Sequence, residues 1–339
     1  MSRRTLTLLL STLLAAVLVV LALVTQVPYV ALGPGPTFNT LGEEAGTPVI
    51  DIQGHEVYPD EGHLDLTTVG VQVRLTLARA LLGWVQRDEA IVPRELVIPT
   101  GQTDEQADEE NTRQMVLSQD SATTAALTQL KIPVSVEAAA VTEDSPAEGQ
   151  LQPGDVLTSV DGTAVTGPTQ LRTLIGDREV GQPVRVGYRR GSTTEEVVLT
   201  TASSGETPPR PVIGVETDVT YPFTVTIGLK DVGGPSAGLM FALGIVDKLE
   251  PGSLTDGRYV AGTGEISPDG QVSPIGGIQQ KVVAARRKGA VLFLVPAANC
   301  ADALANAPAG LQLAKVTSLS DALQALQAVR DGGTPPPCS

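Results

Sequence analysis

DVGGPSAGLMFALGIVDKL (Asp231–Leu249) and GTGEISPDGQVSPIGGIQQKVVAARRKGA (Gly262–Ala290) are the two segments from which the rest of the chain can be placed. In the first, glycines lead to Pro235, a residue preorganised for the opening position of a helix, and the chain then stays almost wholly apolar to Leu249. This predicts a buried helix with Ser236 at its N-terminus. Unpaired backbone N–H groups and the helix dipole both favour negative charge there, as a nucleophilic serine and its oxyanion require. Gly233 and Gly234 would leave space for a substrate carbonyl and for main-chain oxyanion donors. Taken alone, a serine at a helix start is more often only a cap.

The second segment changes that balance. Ser267 to Gly270 reads as a hairpin turn, and Ile278 to Lys288 as a helix that stops at Gly289. Lys281 shares a helix face with Ile278 and Ala285, which predicts a lysine at least partly buried. Burial disfavours the ammonium form. A fall in pKa from about 10.4 to about 7 corresponds to roughly 4–5 kcal/mol, and a neutral lysine can take a proton from serine. The competing arrangement is a lysine whose stem covers apolar surface while its amine reaches water.

The order G-P-S-A-G around Ser236, T-G-E-I from Thr263, then P-I-G-G followed after three residues by Lys281 resembles the proteolytic domain of Lon proteases. The resemblance implies Ser236 as nucleophile, Lys281 as general base and Thr263 as the residue that orients the lysine amine. Gly233 stands where many relatives carry Asp, which implies an oxyanion hole built mainly from main-chain donors. Relatives form hexameric rings, so a homo-oligomer is implied by analogy.

Upstream, LQPGDVLTSVDGTAV (Leu151–Val165) lies within a run of short strand-like segments, VSVEAAAV, DVLTSV, PVRVGY and EEVVLT, with a helix-like PTQLRTLIGD between the second and third. Its Pro-Gly-Asp and Asp-Gly turns resemble the PDZ domains of exported bacterial proteases, which implies a peptide-binding module over residues 131–202. No G-L-G-F-type carboxylate loop is legible ahead of Val134. SSGETPPRP (Ser203–Pro211) reads as the linker to a Lon-like domain over residues 211–331, with a C-terminal tail over 332–339.

At the other end, TLTLLLSTLLAAVLVVLALV (Thr5–Val24) carries no charge. About 20 residues at roughly 1.5 Å each cross a hydrocarbon core of roughly 30 Å, so residues 5–27 read as a membrane anchor. Arg3 and Arg4 precede it, which places the bulk of the chain outside the cytoplasm as a single-pass protein of the cytoplasmic membrane. A cleaved signal peptide is the alternative. Gly33 to Thr37 reads as a rigid stalk. Residues 43–130 form a membrane-proximal segment packed with the protease domain. Its LTLARALLGWVQRDEAI has helical spacing with Trp84 as a core anchor, and its acidic GQTDEQADEEN leads into a second helix through Met115 to Leu127.

The fold class is therefore multidomain α+β. A net charge of −15 opposes nucleic-acid binding. With only Cys300 and Cys338, and neither C-x-x-C nor H-E-x-x-H, no metal site is expected and no cofactor is implied. In an oxidising compartment the two cysteines either pair or stand as separate thiols. No G-x-x-x-x-G-K-[ST] occurs, so the expected activity is ATP-independent cleavage of unfolded or flexible exported or membrane proteins by a serine endopeptidase with PDZ-assisted substrate binding. The alternative is an inert, membrane-tethered PDZ adaptor or chaperone-like binding protein.

Overall fold

In a computed structural model, residues 3–59, 61–86, 88–229 and 232–338 are described. Arg87, Asp231 and Ser339, which fall in stretches read above, lie outside the described residues. The helices are α1 (Arg3–Val24), α2 (Leu77–Gly83), α3 (Asp104–Gln129), α4 (Pro168–Gly176), α5 (Gly238–Leu249), α6 (Ile278–Lys288), α7 (Cys300–Ala305) and α8 (Leu319–Arg330).

A mixed six-stranded sheet is built from both ends of the chain, in the order Gln312–Val316, Leu292–Pro296, Tyr259–Gly262, His63–Gln72, Tyr29–Asn39, Ala90–Pro93. Its first four strands are parallel neighbours, and the last two join antiparallel. The strand Leu292–Pro296 is buried throughout, which explains why it reads as an unbroken apolar run. Leu292 and Leu294 face a core shared with α3, α5 and α8, whereas Phe293 and Val295 face α6 and α7. The helix α5 lies inside the first of these layers, with Leu239, Met240, Phe241, Leu243 and Ile245 all fully buried.

Several boundaries differ from the sequence expectation. Gly33 to Thr37 is not a stalk but part of the strand Tyr29–Asn39. Its prolines are tolerated because pairing with Ala90–Pro93 covers only Tyr29 to Leu32, and the register to His63–Gln72 shifts between Pro34 and Thr37. Residues 43–130 thus supply two strands, His63–Gln72 and Ala90–Pro93, of this same sheet. The stretch containing Trp84 is helical only over Leu77–Gly83, and residues 90–93 are a strand. Trp84 is 62% exposed and is no core anchor. The acidic run does begin a helix: Thr103 and Gln106 form a reciprocal capping box at the start of α3. The helix α1 stops at Val24, and Gln26–Val27 pair with Leu75–Thr76.

A second sheet, in the order Thr193–Thr200, Pro183–Arg190, Val156–Val160, Ser135–Val141, Val215–Thr220, packs on α4 around its own apolar core. The sheet also takes a strand from beyond residue 202. Ala202–Ser203 pair with Pro211–Val212 to close the proline-rich loop, and Val215–Thr220 returns as the edge strand of this sheet.

Candidate active site

The polar centre of the molecule lies at the C-terminal end of the strand Tyr259–Gly262, where the starts of α5 and α6 converge. Ser236 occupies a single 3₁₀ turn, Pro235–Ala237, immediately before α5, and makes no capping bond there. Its hydroxyl instead accepts a hydrogen bond from Lys281 Nζ at 2.7 Å. Lys281 Nζ also donates to Thr263 Oγ1 at 2.9 Å, and that hydroxyl in turn donates to the Ser236 carbonyl at 2.9 Å. The three residues that the two segments singled out are thus joined in one closed set of bonds.

Lys281 is only 2% exposed and Thr263 is fully buried. Burial pushes the Lys281 ammonium down to about pKa 7, because water no longer solvates the charge. The cause is the one that the Ile278–Lys281–Ala285 spacing implied: one helix face carries the lysine into the apolar layer beneath the sheet.

The serine turn is held from two further sides. Gly264 N–H donates to the Ser236 carbonyl at 2.9 Å, and Leu239 N–H donates to the Gly264 carbonyl at 3.0 Å, which clamps the T-G-E segment to the start of α5. From α3, Ser118 Oγ donates to the Pro235 carbonyl at 2.9 Å. Sequence reading missed Ser118. Nothing in its local pattern distinguishes it from other helical serines, and its partner lies 117 positions away.

Gly233 and Gly234 lead into the serine turn along the side of α3. A Cβ on Gly233 would lie 2.8 Å from Asn111 Cβ, and Gly234 N–H already donates to the Asn111 carbonyl at 2.9 Å. Gly234 has φ +82°, a backbone conformation that side chains disfavour. Gly233 lets the chain pass close to α3 before the serine, while the space a Cβ on Gly234 would fill is open.

The cysteines are paired. The Cys300–Cys338 disulfide joins the start of α7 to the C-terminal tail, whose Pro336 carbonyl accepts from Lys315 N–H at 2.8 Å. Among the described residues no group of His, Cys, Asp and Glu side chains is arranged to hold a metal ion.

In the second sheet, the exposed edge of Val215–Thr220 faces α4 across a groove of about 710 Å³. Leu171 and Ile175 of α4 line one wall, and Ile213 to Thr217 line the other. Thr142 N–H and Ala147 N–H bind the carbonyls of Gly214 and Ile213 and fix the turn into the edge strand. The same chain then pairs as Thr224–Ile227 with Ile50–Gln53 of the catalytic half.

A desolvated lysine bonded to a serine hydroxyl at a helix start is the arrangement of a serine hydrolase site, and the open strand-and-helix groove of the second sheet is of the kind that takes up extended peptides. Comparison with known proteins gives the particular kinds. Residues 224–328 match the Lon protease (S16) C-terminal proteolytic domain, and residues 110–201 match the PDZ domain. The chain is 38% identical over 122 residues to Lon protease 2 of Syntrophobacter fumaroxidans, covering 33% of this chain and 15% of that protein. It is 43% identical over 81 residues to the Lon protease of Roseiflexus castenholzii, covering 23% of this chain and 10% of that one. The PDZ domain of the SdrC-like protein from Listeria monocytogenes is 27% identical, covers 24% of this chain and 85% of that domain, and superposes with a TM-score of 0.23. The chain thus carries a Lon-type domain of the serine peptidase class and a PDZ domain, and spans 15% or less of the two Lon relatives named.

Proposed function

We propose that this protein is a membrane-tethered serine endopeptidase that cleaves flexible or unfolded exported or membrane proteins without ATP. The observation that carries the reading is the 2.7 Å bond between Ser236 and an amine whose pKa lies near 7. Lys281 takes the Ser236 proton as the oxygen attacks a peptide carbonyl. The resulting ammonium then passes that proton to the leaving amine, and water, deprotonated by the same lysine, releases the acyl group. Thr263 keeps the amine aimed by bonding both it and the Ser236 carbonyl. The dipole of α5 favours the developing oxyanion.

The PDZ groove supports substrate capture. Its open edge strand can accept an extended peptide as an added strand, with Leu171, Ile175 and Ile213 as apolar side-chain contacts. α1 supports the tether: it is long and apolar enough to cross a bilayer, and none of it is buried against the protein. With Arg3 and Arg4 at its start, the catalytic bulk faces away from the cytoplasm, where the Cys300–Cys338 bond is stable. A homo-oligomer, hexameric by analogy with ring-forming Lon relatives, completes the reading.

The test is cleavage of fluorescent casein, without nucleotide, by the full chain in lipid nanodiscs. Wild type is expected to cleave, and Ser236→Ala and Lys281→Ala are each expected to be inactive while the fold is retained. Equal activity in wild type and Ser236→Ala, or none in wild type, overturns the reading; the latter result leaves an inert PDZ adaptor.

A further inference from the structure

Beyond α1, one group of exposed large apolar side chains lies on the two elements fastened where the chain emerges from that helix. The Thr25 carbonyl, one residue past α1, accepts from Leu77 N–H at 2.9 Å, and the Pro28 carbonyl accepts from Arg94 N–H at 3.1 Å. The starts of α2 and of the 3₁₀ turn Arg94–Leu96 are therefore fastened on either side of the exit of the span.

Both present apolar side chains outward. Leu81 is 48% exposed, Leu82 63%, Trp84 62%, Val85 81% and Leu96 72%. Ala80 and Gly83 face inward, and Gly83 has no room for a Cβ because Ile91 Cδ1 would lie 2.5 Å away. At about 100° per residue, Leu77 to Val85 place their exposed apolar side chains over an arc of about 160°. Arg79, on the other side, is bound to Glu89 at 2.7 Å. The apolar arc thus has no charge of its own.

The geometry points to a second membrane contact: α2 with Trp84 and Val85, together with Leu96, rests in the headgroup region of the bilayer and holds the protease against its surface. The inference rests on the reading of α1 as a membrane span. Given that, the hydrogen bond to Thr25 leaves α2 within a few ångströms of the plane where the span leaves the lipid. Indole is the side chain best suited to that boundary, because its ring is apolar and its N–H can stay wet. A second copy of the chain is the other body able to cover such a face, but the direct fastening to the end of the span favours lipid. Held this way, the catalytic centre stays at a fixed height, which selects substrates emerging close to the membrane.

Trp84 is the chain's single tryptophan, so its fluorescence reports on this site alone. The full chain is reconstituted in phosphatidylcholine vesicles with and without bromine near the headgroup end of the acyl chains. An alkaline carbonate wash of the same vesicles tests the span independently. Carbonate-resistant protein is expected to lose about half its tryptophan emission to shallow bromines and much less to deep ones. Leu82→Glu with Val85→Glu is expected to abolish the quenching while casein cleavage persists. Resistant protein with unquenched, water-like emission overturns the inference. So does unquenched but blue-shifted emission, which would place a second copy on this face. If carbonate strips the protein, the tether reading fails and this inference falls with it.

Discussion

Lys281 and Trp84 occupy each other's customary places. The side chain with an ammonium group is 2% exposed, while the largest apolar side chain in the protein is 62% exposed. Each inversion costs free energy against the usual pattern, and each lies where the molecule meets something outside itself: a peptide bond at Lys281 and, on the inference above, a lipid surface at Trp84. The difference lies in what compensates. Lys281 is desolvated and bonded to Ser236 and Thr263 inside the protein, whereas Trp84 stands edge-on to the Tyr29 ring with most of its surface open. A buried amine is thus satisfied within the chain, and an exposed apolar face waits for a partner.

The comparison breaks most sharply at the lysine. Lys281→Ala and Ser236→Ala are each expected to lower kcat/KM for a peptide substrate by about 10³-fold or more, and the double variant by little further, because the two groups act as one unit. Independent, additive losses would separate them.

Lys281→Met retains the volume without the charge and should stabilise the fold while abolishing activity. In the native protein the lysine titrates near pH 7, and in the unfolded chain near its ordinary value of 10.5. Below pH 7 both states bind the proton, and the native state bears the full cost of a buried ammonium. Between pH 7 and 10.5 only the unfolded state is protonated, so wild-type stability rises with pH. The variant should therefore gain about 2–4 kcal/mol at pH 6, read from urea midpoints, with the advantage fading toward pH 10. A variant less stable at both values would show that the lysine is not held neutral.

Smaller effects follow from the supports. Reducing the Cys300–Cys338 bond, which closes a loop of 38 positions, should cost about 2–4 kcal/mol of stability with little change in kcat. Thr263→Val removes one partner of Lys281 and should lower kcat by about 10–100-fold with KM nearly unchanged, whereas Thr263→Ser should restore most of it. Ser118→Ala, which frees the Pro235 carbonyl, should cost about 1 kcal/mol and less than about tenfold in kcat.

The catalytic half was legible because its signals are local. Gly289 ends α6 in a left-handed conformation, as its place after Lys288 predicted, and Ser318 caps α8 through Asp321 N–H at 3.1 Å. The spacing of Ile278, Lys281 and Ala285 also fixed the face on which the lysine lies. Long-range pairing was not legible. Nothing near Gly33 shows that it joins a strand to a partner some 37 positions later, and nothing near Val215 shows that it returns to Val141. Trp84 was misplaced for a related reason: periodicity tells which face of a helix is apolar and is silent on what covers it. The approach of Asn111 to Gly233 from the distant α3 is likewise silent in the local sequence.

The most direct measurement is a titration of the Lys281 side chain itself. With lysine labelled at Cε by carbon-13, its resonance is identified by its loss in Lys281→Met and followed from pH 5 to 11. The expected midpoint is near 7, well below the exposed lysines, with activity rising over the same range. A Lys281 that stays charged to pH 9 while the enzyme is active at pH 7.5 would contradict the account.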